Sequence, residues 1–180
     1  MTGHLTMQEI EQRLHAVTGE FTGFCSGIND ELFFYQPVDK WSIAQNVKHL
    51  TTSASNTKLA FVLPKFIIRL YAGKPDRSSK TYDELVAKYK SKLEQGGRAS
   101  GRYIPKPILS SKGKQKMLND FSKIMNRLVD SIDKKWKDRQ LDQYLAPHPL
   151  LGKITLRELC YFTIHHTLHH LGTINSRLAK

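Results

Sequence analysis

Four histidines, His165, His166, His169 and His170, crowd one apolar, helix-patterned segment between Leu156 and Leu178, and they are half of the chain's 8. On a helix, residues four apart project from the same face one turn apart, so either His165 with His169 or His166 with His170 can grip one metal ion. Spacing does not choose between these pairs, but position on the helix does. When each residue is stepped by about 100°, Leu156, Cys160, Ile164, Leu171, Ile174 and Leu178 define one apolar direction. His166 and His170 border that stripe, whereas His165 and His169 fall on the opposite, solvent side. A metal site and a pair of hydrogen-bonded core histidines both stay open at this point, although a second buried imidazole needs a partner of its own.

Two histidines are too few for a catalytic zinc-type site, which takes three protein ligands and keeps a position for water or substrate. His49 is the best candidate for the third. It stands off the apolar stripe of its own segment, on a strip of uncharged polar residues: Ser42, Gln45, His49, Ser53 and Asn56. An ordinary solvent face in so basic a protein would carry Lys or Glu, so the strip suits a ligand-lined cleft or a hydrogen-bonding seam between helices. His4 and His15 have no such support. His148, in Pro147-His148-Pro149, reads as shaping a turn, from which it can reach the mouth of the site. No Asp or Glu stands out as a general base, and a His-x-x-x-His pair without the zincin Glu argues against metalloprotease chemistry.

The elements that must position these side chains are helices. Residues 6–36 keep one apolar stripe (Ile10, Leu14, Val17, Phe21, Phe24, Ile28, Leu32) in steps of three or four. Thr6 with Glu9 opens this helix as a capping box, and Gln36-Pro37 is its predicted stop. A second helix opens at Ser42 with Gln45 and ends at Gly73-Lys74-Pro75, with Pro64 interrupting its last part. A long irregular stretch between Gly73 and Ser111 carries one short amphipathic helix, capped by Thr81 with Glu84 and marked by Leu85, Tyr89 and Leu93. The third long helix shows Leu118, Phe121, Met125, Leu128 and Ile132. The fourth begins at Thr155 with Glu158 and runs to the C-terminus. There is no alternating strand pattern and no internal repeat. The expected fold is all-α: a four-helix bundle over residues 1–180 as a single domain. The short link makes helices 1 and 2 antiparallel neighbours, and the long helix 2–helix 3 crossover permits an up-down-down-up order.

Bulk properties narrow the function classes. With 180 residues, 39% hydrophobic and 24% charged, the chain is a soluble globular domain that needs neither disulfides nor metal merely to fold. Met1-Thr2-Gly3-His4-Leu5-Thr6 lacks the basic and apolar runs of a signal peptide, and the longest apolar stretch, around Leu59 to Tyr71, is broken by Pro64, Lys65 and Arg69. Cys25 and Cys160 read as buried thiols of a reducing cytoplasm. The net charge of +12 is concentrated in residues 58–140, which hold 21 of the 28 Lys and Arg but 8 of the 16 Asp and Glu. Those charges alternate with acids on helices or sit in a Gly/Ser/Pro-rich loop, so they read as a solvated basic surface rather than a nucleic-acid footprint.

Two blocks carry a family resemblance. Lys40-Trp41-Ser42 followed by His49-Leu50 resembles the second helix of the DinB/YfiT-like superfamily of metalloenzymes. His148-Pro149-Leu150-Leu151-Gly152-Lys153-Ile154-Thr155-Leu156-Arg157-Glu158, then His166-Thr167-Leu168-His169-His170-Leu171-Gly172, resembles its fourth helix and the turn before it. The resemblance implies an up-down-down-up bundle holding a divalent metal, commonly nickel or zinc, on three histidines, and carries those roles to His49, His166 and His170. It departs at Thr173, where the family usually has Gln. It also implies small-molecule chemistry: S-transfer or isomerisation with a low-molecular-weight thiol as cosubstrate, or hydrolysis, in a chain for which a homodimer is a common assembly. The alternatives are a non-catalytic bundle and a binding protein that contacts nucleic acid through its basic middle. No membrane partner is expected.

Overall fold

The computed structural model describes residues 3–179, so Met1, Thr2 and Lys180, including the start of the segment read for a leader, lie outside the described residues. The Thr6–Glu9 capping box opens helix α1 (Met7–Ser26), which buries Ile10, Leu14, Val17, Phe21 and Cys25. The predicted helix over 6–36 does not continue past this point. Gly27 ends α1, and Asn29 accepts the Leu32 N–H to start a separate short helix, α2 (Asp30–Phe34). The change of axis turns Leu32 out of the stripe, leaving it 39% exposed while Phe33 is buried. An Asx-type side chain that offers the backbone an alternative to the continuing helix is the physical reason for the break.

Ser42 and Gln45 form the second capping box, at the start of α3 (Ile43–Val62). Pro64 then interrupts the chain as expected, and α4 (Lys65–Ala72) follows. Thr81 and Glu84 cap α5 (Tyr82–Glu94). The stretch from Gly96 to Lys114 is irregular apart from two 3-10 turns, Gly101–Tyr103 and Ser110–Lys112, and leads into α6 (Lys114–Lys135). A strand pair absent from the sequence reading comes next: β1 (Leu145–His148) and β2 (Gly152–Thr155) form an antiparallel hairpin, with Leu145 opposite Thr155 and His148 opposite Gly152. Four-residue strands are too short to show alternation. Gly152 adopts φ +75° at the turn, a conformation that favours glycine. Thr155 and Glu158 make the last capping box, opening α7 (Leu156–Leu178).

The described chain is therefore mostly helical, with only this two-stranded sheet. The four long helices meet in the pairs α1–α6, α6–α3, α3–α7 and α7–α1, so α1 and α3 lie across from each other. The expectation that helices 1 and 2 of the sequence reading are neighbours therefore holds only for α2, the last part of the predicted 6–36 helix, which packs on α3, and not for α1, which packs on α6 and α7. Pairwise contacts mark which ends coincide. The Lys114 Nζ, at the start of α6, donates to the carbonyls of Ser26 and Ile28 at the end of α1. Phe61 and Trp136 bring the ends of α3 and α6 together, with ring centroids 5.9 Å apart. Asn46 meets His170 while Thr57 meets Thr163, so α3 and α7 run in opposite senses. Phe21 and Phe121 pack edge to face at 5.4 Å between α1 and α6, each fully buried. Burial of this kind stabilises by about 1.5–3 kcal/mol per side chain.

The start of α7 buries every residue from Leu156 to Ile164, Arg157 and Glu158 included. Arg157 donates to Asp142 through Nε and Nη2, to Asp138 through Nη2, and to the Leu5 carbonyl through Nη1. Glu158 accepts both Nη1 and Nη2 of Arg77, as well as the N–H groups of Lys80 and Thr155. These charges are satisfied, and they anchor the helix that carries the histidines. Among the described residues no helix is long and apolar enough to cross a membrane.

Candidate metal centre

His49 stands on the second turn of α3, and His166 and His170 stand one turn apart on α7. All three are buried. The Nε2 of His166 lies 3.0 Å from the Nε2 of His49 and 3.1 Å from that of His170. The sequence-predicted trio is thus brought together, with the three ligand-type nitrogens within 4.8 Å of one another.

The outer nitrogens explain why the inner ones converge. His49 Nδ1 lies 2.7 Å from the Tyr103 carbonyl, and His170 Nδ1 lies 2.6 Å from Asn46 Oδ1. The Asn46 amide is oriented by its own Nδ2, which donates 2.8 Å to the Ser42 carbonyl and leaves Oδ1 facing His170. Carbonyl and amide oxygens only accept, so both Nδ1 atoms carry the proton and both Nε2 atoms present a lone pair. Burial, reinforced by the neighbouring imidazoles, pushes His166 and His170 well below the usual imidazole range. Burial lowers His49 as well, against the Tyr103 hydrogen bond.

This donor set fits a metal. Neutral imidazoles with fixed tautomers aim electron pairs at one point, where there are too few protons to bridge the nitrogens pairwise. A tetrahedral ion at ~2.0–2.1 Å sets its ligand nitrogens ~3.3 Å apart, close to the spacings seen here. The backbone and amide acceptors behind two of the rings are the outer partners that hold metal-binding histidines in place. The trio can therefore hold a metal ion.

Asn46 and the Tyr103 carbonyl belong to the site but were not singled out from sequence, and Trp41, which also belongs to it, stood out only within the Lys40-Trp41-Ser42 block and with no role at the site. Trp41 packs 5.0 Å from the His49 ring, and its carbonyl accepts from Arg177. Asn46 is adjacent to the polar strip, and its amide type was the only available signal. A backbone carbonyl such as that of Tyr103 leaves no sequence signal at all.

His165 and His169 are not on an open solvent face. Both are half-buried against Tyr89 of α5, at 5.8 and 6.1 Å between ring centroids, because the short helix of the crossover covers this side of α7. Burial pushes His165 down to about 4, with His169 and Lys90 adding to it. One apolar-stripe assignment fails near the C-terminus: Leu171 is half-buried and packs against the core, but Leu178 is 36% exposed.

His148 does both things expected of it. Its Nδ1 accepts the N–H groups of Leu150 and Leu151 in the hairpin turn, and its ring packs 4.1 Å from Phe162 on the wall of the site cavity. Burial and nearby Lys88 push it down to about 4. His4 and His15 are exposed and take no part. Thr173 is exposed and donates to the His169 carbonyl, so it turns back on its own helix. Burial pushes the Cys25 thiol up to about 12 and Cys160 higher still, so neither is a thiolate near neutral pH.

A mostly helical chain with a buried three-histidine cluster of this geometry falls in the class of proteins able to bind a metal between helices. The chain belongs to the DinB superfamily, whose family model matches residues 13–174. No curated protein matches the sequence.

Proposed function

We propose that this chain is a metal-dependent enzyme whose divalent ion, nickel or zinc, is held by His49, His166 and His170, and that it transfers a low-molecular-weight thiol to a small electrophile. The observation that carries the reading is the convergence of the three Nε2 atoms, two of them with their opposite nitrogens committed to acceptors. When bound, such an ion supplies Lewis acidity that activates a thiol or a water at neutral pH. The chain's own residues do the rest. The Tyr103 carbonyl and Asn46 orient two of the ligands, and burial keeps the imidazoles neutral, as electron-pair donors rather than acids. Phe162 stacks on the His166 ring at 4.7 Å and, with Leu159, lines the adjoining cavity through which a substrate would reach the cluster. Both cysteines are protonated and buried, so on this reading the thiol is a cosubstrate.

The same reading places the long helices in an up-down-down-up four-helix bundle. The shared ends of α1 with α6 and of α3 with α6, and the opposite senses of α3 and α7, support that order. Small molecules are the expected partners, and a reducing cytoplasm is the expected setting.

The test is elemental analysis of tag-free protein beside His170→Ala, followed by a thiol-conjugation screen with His49→Ala as control. The expected result is about one equivalent of metal in the wild type and little in the variant. Conjugation should require metal and be lost in His49→Ala. No metal after reconstitution, or full activity in His49→Ala, would sink the proposal. Turnover that needs water and no thiol would replace transfer with hydrolysis.

A further inference from the structure

The cavity that reaches the histidines does not stop there. It encloses about 1140 Å³, above the usual range of a small-molecule pocket, and its lining extends along α3 from His49 to Leu63, about 20 Å of helix. Its two ends differ in chemistry. At the histidine end the wall is polar and charged, with two arginines against one carboxylate. Arg102 donates to Asn56 Oδ1, and Arg98 donates through Nη1 to the Leu93 and Gly97 carbonyls. Arg98 lines both this cavity and the cleft on the other side of His169 and His170, and Glu94 lines the cavity beside them, leaving a net positive charge. The far end is apolar. Leu145 and Leu159 form a buried wall there, and Leu59, Leu63, Ile67 and Tyr71 form the rim. Leu59 is 48% exposed and Tyr71 is 77% exposed, so this end is an open trough of apolar surface. Apolar surface of that kind, continuous with a polar site, marks a binding groove.

We propose that the substrate is an amphiphile: a small electrophile with an anionic head group beside the histidines and an unbranched apolar chain lying along the trough toward α4. The proposal rests on the metal-site reading for the position of the head, while the seat of the chain rests on the trough alone. The arginines supply the countercharge for the head. The absence of Lys, Arg, Asp and Glu from the α3–α4 end of the lining leaves only dispersion and burial to select what lies there.

Alkanoates of increasing length test this as probes, measured by displacement of the uncharged dye N-phenyl-1-naphthylamine from metal-free and nickel-loaded full-length chain. Each buried methylene should tighten binding about fourfold, so dodecanoate should bind more than about 100-fold tighter than butanoate, with or without metal. Nickel loading should tighten the whole series by a common factor. The double variant Leu59→Glu, Tyr71→Glu should flatten the dependence on length while leaving metal content unchanged. Ala60→Trp, which fills the trough from α3, should do the same and serves where the glutamates disturb the fold. Equal affinity for butanoate and dodecanoate would overturn the proposal. So would tighter binding of dodecylamine than of dodecanoate. A length dependence with no gain on nickel loading, in protein shown to hold nickel, would overturn the placement of the head at the histidines. A chain that holds no nickel defeats the metal-site reading and with it that placement, while the metal-free series still decides the trough.

Discussion

Asn46 fixes the direction of the His170 lone pair, through a hydrogen bond whose donor and acceptor are set by the amide's second contact with the Ser42 carbonyl. Asn46→Ala removes that acceptor without touching a ligand. Metal affinity should fall about 10–100-fold, as read by competition with a chelating dye, with His49 and His166 still in place. Unchanged affinity would mean that ring packing, including Trp41 stacked 6.4 Å from His170, orients the imidazole without the hydrogen bond. At this scale the sequence was informative where residue type and period agree: His166 and His170 border an apolar stripe, and His49 interrupts a strip of uncharged residues. It was uninformative where the partner is a backbone atom, as at Tyr103. It misled where a face judged only by its own helix is covered by another, as at His165 and His169.

The end of α5 holds the crossover in place. Gly96 (φ +89°) donates to the Leu93 carbonyl and Gly97 to the Lys92 carbonyl, the paired bonds that close a helix through a left-handed residue. Gly97 has no room for a side chain, because an added Cβ would lie 2.6 Å from the Lys92 oxygen. Gly97→Ala should therefore displace the loop that delivers the Tyr103 carbonyl to His49. The expected cost is about 1–3 kcal/mol by urea unfolding, together with weaker metal binding. A stability loss with metal affinity intact would uncouple the loop from the site. Capping boxes made four helix starts legible, at Thr6, Ser42, Thr81 and Thr155. The break at Gly27 and the β1–β2 hairpin were not legible, because a stripe in the correct phase hides a change of axis and four residues cannot display a period.

Across the whole molecule, burial lowers the affinity of His49, His148, His165, His166, His169 and His170 for protons. The unfolded chain takes up protons at these residues below about pH 6.5 while the folded chain resists, so stability is fully present above that pH and falls as the pH drops. Asp142 and Glu158 act lower in the range. Burial opposes their ionisation, but hydrogen bonds from Arg157 and Ser79 to Asp142, and from Arg77, Lys80 and Thr155 to Glu158, hold both below the usual carboxylate range. Their contribution is present above about pH 4 and is lost as the pH falls through the folded values. The urea midpoint should decline between pH 7 and pH 5 and decline again below about pH 4. A flat profile from pH 7 to 5 would contradict the burial of the imidazoles. This acid sensitivity is not legible in the basic middle of the chain, whose lysines lie toward the surface while the titrating groups lie inside. The 2 tryptophans are separated along the same axis: Trp41 packs against His49, whereas Trp136 packs on Phe61, about 18 Å further along α3. The molecule thus carries its own optical gauge. A quenching ion such as nickel or copper entering the cluster should extinguish the emission of Trp41 and spare that of Trp136, and a Trp41→Phe protein should remain bright when loaded.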